Sequence, residues 1–126
     1  MEAMVERKGY VVHVYMTSIR SHFVPDNIEG VKLGDVVYFH VTNLEQDWDV
    51  PHGFAVKGAN NAELLIMPGE TQTLMWKPDR VGVFPMYCTD FCSALHQEMQ
   101  GYIRISPQNS TVPLTFSTGT NQPKLN

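Results

Sequence analysis

A chain of 126 residues, 43% hydrophobic and 17% charged, is sized and composed for one globular domain with a single modest core. Its formal net charge of -4, with no cluster or stripe of Lys and Arg, argues against nucleic-acid binding. The longest apolar runs, Val36 to Phe39 and Leu64 to Met67, are too short to cross a bilayer, and no secretory signal of about 7–15 apolar residues opens the chain.

Met1 and Met4 resemble an expression start placed ahead of a natural domain, so residues 1–7 read as an N-terminal extension and the chain as an excised fragment. Strand candidates follow in order. Tyr10 to Met16 is rich in Val and Tyr. Val31 to Thr42 alternates, with Val37, Phe39 and Val41 on one face and Val36, Tyr38 and His40 on the other, after punctuation at Gly30 and Gly34-Asp35. Gly53 to Val56, Thr71 to Trp76, Val83 to Tyr87 and Tyr102 to Ile105 are shorter, with turns at Pro68-Gly69 and Pro78-Asp79. No long helix competes. Many short strands at regular spacing predict an all-β fold, a β-sandwich or Greek-key barrel over residues 8–106. Residues 107–126 hold three prolines and many Ser, Thr and Asn, and read as a tail over the surface or disordered, with the option of docking on a partner.

The two cysteines, Cys88 and Cys92, are four residues apart, which allows a local disulfide, a redox pair or a metal site. A disulfide closing so short a loop gains little loop-closure entropy. The neighbours favour metal. Cys88-Thr89-Asp90-Phe91-Cys92-Ser93-Ala94-Leu95-His96-Gln97-Glu98-Met99 places two thiols, an imidazole and a thioether within twelve residues, between two strand candidates. Thiolate and thioether are soft ligands suited to copper(I), and imidazole suits copper in either oxidation state. Zinc prefers four Cys or His ligands without Met. A mononuclear blue-copper site needs one Cys, two His and a weak Met, and would leave one cysteine idle. Two cysteines can instead bridge two coppers, each with one His, if a second imidazole arrives from elsewhere. His52, in Asp49-Val50-Pro51-His52-Gly53-Phe54, sits at a loop-to-strand junction where loops at one end of a sandwich converge.

An upstream His followed by Cys-x3-Cys-x3-His-x2-Met resembles the CuA domains of cytochrome c oxidase subunit II and of nitrous-oxide reductase, over roughly Tyr10 to Ser106. The resemblance implies a cupredoxin-type Greek-key β-sandwich and a binuclear copper centre. Carried onto this chain, it makes Cys88 and Cys92 the bridging ligands of two copper ions. His52 and His96 each bind one copper, Met99 binds one weakly, and the backbone carbonyl of Asp90 binds the other. Because Asp90 would use its main chain, its side chain is free to vary; oxidases commonly place Glu there and the reductases often Trp.

The flanks lean toward the reductase. Phe91-Cys92-Ser93-Ala94-Leu95-His96-Gln97-Glu98-Met99 is similar to its Phe-Cys-x-Ala-Leu-His-x-Glu-Met run, whereas oxidases usually place Gly where Ser93 stands. His52-Gly53-Phe54, Tyr15-Met16-Thr17-Ser18 and Thr42-Asn43-Leu44-Glu45 also look reductase-like. The resemblance then implies a periplasmic parent, a head-to-tail homodimer. Its CuA domain takes electrons from a cytochrome c or similar carrier and passes them to a catalytic copper–sulfur centre in a β-propeller domain, where N2O is reduced to N2. The alternatives are an oxidase CuA domain cut from its membrane helices and a copper-delivery protein. No catalytic residue is expected in this chain itself.

His13, His22 and His40 match no motif position; His13 and His40 fall on strand candidates and read as structural. Glu45, Asp47 and Asp49 form an acidic stretch before His52. It reads as a solvated loop, as a source of one carboxylate for the free imidazole nitrogen of His52, or as an attractor for a basic cytochrome. Trp48 reads as a docking residue or as cover for the loop.

Overall fold

Apolar residues at every second position build strands that each bury one side, and two such sheets close on each other. The computed structural model describes residues 4–19, 22–46, 51–59, 63–89 and 100–118. Among these the order is β1 (Val5–Lys8), β2 (Val11–Ile19), β3 (His22–Val24), β4 (Asn27–Lys32), β5 (Val36–Asn43) and β6 (His52–Val56), then β7 (Leu64–Ile66), β8 (Thr71–Trp76), β9 (Gly82–Tyr87), β10 (Gln100–Ser106) and β11 (Thr115–Ser117). One sheet runs β1-β2-β5-β8, with β3 also on β2, and the other runs β11-β4-β10-β9-β6-β7. The β2–β5 and β4–β10 pairs are parallel and the remaining pairs antiparallel. The fold is the expected all-β sandwich.

Phe39 sits at the centre of the core, with ring centroids 5.2 Å from Phe54 on the opposite sheet and 6.5 Å from Trp76. Phe54 also meets Phe23 edge-on at 5.6 Å, and Trp76 meets Phe84 at 5.1 Å. Val37, Phe39 and Val41 are fully buried, as their alternation predicts.

The structure differs from the sequence reading in three places. Val31 to Thr42 is two strands in different sheets, because the chain turns at Leu33–Asp35, where the Asp35 amide donates to the Lys32 carbonyl (3.0 Å). Residues 5–7, read as an extension, lie in β1 and pair with β2. Part of the tail is also structured: β11 pairs with β4, and Gly30, at φ +96°, gives up a side chain so that Pro113-Leu114 can cross against it.

An ion pair ties β1 to the β4–β5 turn. Both terminal nitrogens of Arg7 grip the Asp35 carboxylate, at 2.7 and 2.8 Å, and one also donates to the Gly30 carbonyl at 3.0 Å. Asp35 is 1% exposed. Replacing Arg7 by Ala strands that carboxylate, though water enters with the loss of the half-buried arginine, so a destabilisation of about 2–3 kcal/mol is expected in chemical denaturation. Arg7→Lys keeps the charge, loses the two-pronged grip and should fall between.

Candidate metal centre

The end of the sandwich that receives β6 and releases β9 gathers the described site residues. Strands β6 and β9 are antiparallel, with Ala55 opposite Tyr87 and Val56 opposite Met86. Continuing that register brings the start of β6, with His52, alongside the chain as it leaves β9 through Cys88 and Thr89. Gly53 is the contact point. A Cβ there would run into the Thr89 side chain and lie 3.1 Å from its amide nitrogen, so only glycine leaves room for this approach. The segment beginning at Cys88 re-enters the sheet at Gln100, which lies directly opposite Tyr87.

His52 is 1% exposed, and Cys88 3%. His52 Nε2 lies 2.9 Å from Glu45 Oε2, whose side chain is 9% exposed. Of the three readings of the acidic stretch, the carboxylate partner is therefore the one Glu45 fulfils; Asp47, Trp48 and Asp49 lie outside the described residues. Glu45 is itself aimed. Its amide donates to Asn43 Oδ1 (2.8 Å), and Asn43 Nδ2 donates to the carbonyl of Ile66 (2.9 Å), the residue paired with His52 across β6 and β7. Asn43, fully buried at the end of β5, thus links the segment carrying the carboxylate to β7, the strand beside the imidazole. Sequence reasoning missed it. The available signal was an asparagine at an inward position of an otherwise apolar alternation, a polar group that must find partners when buried.

The Thr89 hydroxyl is buried without a hydrogen-bond partner, one of two such side-chain atoms among the described residues. An orphaned donor beside Cys88 fits a site that takes an additional acceptor, such as a thiolate, when assembled. The Cys88 sulfur is disulfide-bonded here, so a thiolate at this position requires reduction first. Cys92, with Asp90, His96 and Met99, falls outside the described residues. Among the described residues no group of three or more His, Cys, Asp or Glu side chains is placed to hold a metal. The structure brings together His52, Glu45 and the start of the cysteine segment. A buried imidazole with one nitrogen at a carboxylate, and a buried sulfur on the adjoining chain segment, are donor types that fit copper once the sulfur is reduced.

Leu44, Leu65 and Met67 are each 40–48% exposed at this end, an apolar rim. Among the described residues no helix is long and apolar enough to cross a membrane.

No protein-family model matches the chain. It is 39% identical over 103 residues to nitrous-oxide reductase of Stutzerimonas stutzeri, covering 82% of this chain and 16% of the reductase. The chain thus spans about a sixth of the length of the reductases it matches. It is 34% identical over 103 residues to cytochrome c oxidase subunit 2 of Thermus thermophilus, covering 81% of this chain and 71% of that subunit. Among solved structures, the periplasmic domain of cytochrome oxidase subunit II from Bradyrhizobium japonicum superposes with a TM-score of 0.62 at 17% identity, covering 83% of this chain and 89% of that domain.

Proposed function

The chain belongs to the family of cupredoxin-fold, CuA-type domains shared by nitrous-oxide reductase and cytochrome c oxidase subunit 2, and from that premise we propose that it is an electron-transfer module built on a two-copper centre. In this reading the thiolates of Cys88 and Cys92, the imidazoles of His52 and His96, the Met99 thioether and the Asp90 carbonyl would hold two copper ions, which would supply one-electron transfer when bound.

The observation that carries the reading is the buried His52 held by Glu45 beside Cys88-Thr89. Nε2 lies at the Glu45 carboxylate, which fixes the orientation of the ring, and in this reading Nδ1 would be the nitrogen toward the metal. Asn43 keeps the carboxylate in place, and the Gly53–Thr89 contact keeps the imidazole strand against the cysteine strand. The Leu44, Leu65 and Met67 rim offers an apolar face to a redox partner, a cytochrome c or similar donor.

We assign the parent as a periplasmic, dimeric nitrous-oxide reductase whose separate propeller domain holds the N2O-reducing copper–sulfur centre. The 39% identity and the flanks of the second cysteine support it. The second reading, an oxidase subunit 2 domain, is favoured by coverage, since the chain spans 71% of that relative.

The test starts from the disulfide. Two electrons and two protons from an added dithiol convert it to two thiols, after which copper is supplied. Two coppers per chain are expected, with an electron spin resonance signal in which one unpaired electron is shared by both nuclei. One copper per chain, with a single-nucleus signal, would sink the binuclear reading.

A further inference from the structure

The outer face of the β1-β2-β5-β8 sheet carries two histidines that the copper centre leaves unused. The parallel β2–β5 register sets His13 beside Tyr38 and Tyr15 beside His40, so the two imidazoles meet on the diagonal. His13 Nδ1 lies 2.9 Å from His40 Nε2. The rings are 16° from parallel, and each is flanked by a tyrosine ring, Tyr38 at 5.4 Å from His13 and Tyr15 at 5.0 Å from His40. On the far side, His40 Nδ1 lies 2.9 Å from Thr73 Oγ1 on β8.

Two ring nitrogens at this distance share one proton, one donating and the other accepting. A second proton is disfavoured: partial burial and the neighbouring His13 hold His40 below its ordinary value. A shared proton between two lone-pair donors is replaceable by a metal ion. A metal about 2.0–2.1 Å from both nitrogens would draw the two rings round so that their lone pairs meet beside the 2.9 Å line, at roughly 90° if that separation is kept. That angle belongs to tetragonal or octahedral coordination, whereas tetrahedral zinc needs a wider bite.

We propose that His13 and His40 form a second, mononuclear site for a divalent metal of tetragonal preference, copper(II) ahead of nickel(II), with water in the remaining positions. Thr73 is a positioning residue. By accepting from His40 Nδ1 it turns the Nε2 lone pair toward His13, as partners of ligating imidazoles do. Glu6, directly across from His13 in the β1–β2 register, adds negative charge beside the site, its Oε1 3.3 Å from the Tyr15 hydroxyl. Two imidazoles without a thiolate make this a labile site on the outer face of the sheet.

Copper(II) is titrated into the full chain with its disulfide intact, so that no thiolate centre assembles, and followed by calorimetry and electron spin resonance. The expected result is one copper(II) per chain, with a four-line signal from a single nucleus split by nitrogen. His13→Gln and His40→Gln should each weaken binding by about tenfold or more, and Thr73→Val should weaken it less, at unchanged stoichiometry. His22→Gln, on the exposed histidine of β3, should bind as the original chain does. Affinity unchanged in both His13→Gln and His40→Gln overturns the proposal, as does a loss in His22→Gln. Both test positions are on the solvent side of the sheet, and circular dichroism confirms that the variants stay folded. Failure here leaves the thiolate centre untouched, because that centre is read only after reduction.

Discussion

Replacing Phe54 by Ala should cost the fold about 3–5 kcal/mol. Phe54 is fully buried and packs against Phe23 and Phe39, so truncation removes its burial and leaves a cavity that two neighbouring rings cannot fill. Against a total stability of about 5–15 kcal/mol for a domain, that is a large share. Phe54→Leu retains most of the volume and should cost markedly less. Urea denaturation gives both values, with an unchanged slope showing that only the native state lost contacts. Phe54 is also two residues from His52 on the same strand, so the alanine variant should lose copper affinity as well as stability. Equal stabilities for the alanine and leucine variants would refute the packing account.

Replacing Cys88 by Ser should abolish the shared-electron signal of the reduced, copper-loaded protein and lower its copper content below two per chain. A serine hydroxyl is a hard, neutral donor at neutral pH and does not bridge two soft metal ions as a thiolate does. The variant also separates the two readings of the cysteines. If their role were a structural disulfide alone, the reduced original chain would take up no copper pair and Cys88→Ser would merely lose some stability. An unchanged shared-electron signal in Cys88→Ser would remove Cys88 from the centre.

Fold class was legible because it rests on a local pattern. Strand alternation in β5 named its buried face residue by residue, and the turn residues separated most strands. What escaped were elements defined by their partners. Strand β1 is a short, charged segment, Val5-Glu6-Arg7-Lys8, that becomes a strand through β2 and through the grip of Arg7 on Asp35. Strand β11 lies in a stretch of tail composition and exists by pairing with β4. The break at Leu33–Asp35 was signalled by Gly34-Asp35 but was read as lying before one strand rather than between two. In the candidate site, Cys88 and His52 stand out in the sequence because their residue types carry distinctive chemistry. Asn43 was not, because its role depends on which carbonyl and which amide the fold brings to it. The histidine pair of β2 and β5 was missed for the same reason: His13 and His40 are 27 positions apart, and the parallel register makes them neighbours.

The direct pairing of Tyr87 with Gln100 has a consequence for how such a protein can change over generations. Both ends of the twelve-residue Cys88–Met99 insertion are anchored to opposed positions on neighbouring strands, about 5 Å apart by the geometry of an antiparallel ladder. Any segment able to span that gap can be accepted without moving the sheets, since loop-closure entropy varies only slowly with length. The segment between these two anchors can therefore be replaced without disturbing the aromatic core around Phe39, and under the proposed function such a replacement would change which metal ions the domain holds. His52 and Asn43 lie on strands outside that segment, and Glu45 follows just after β5, so this support of the imidazole belongs to the scaffold.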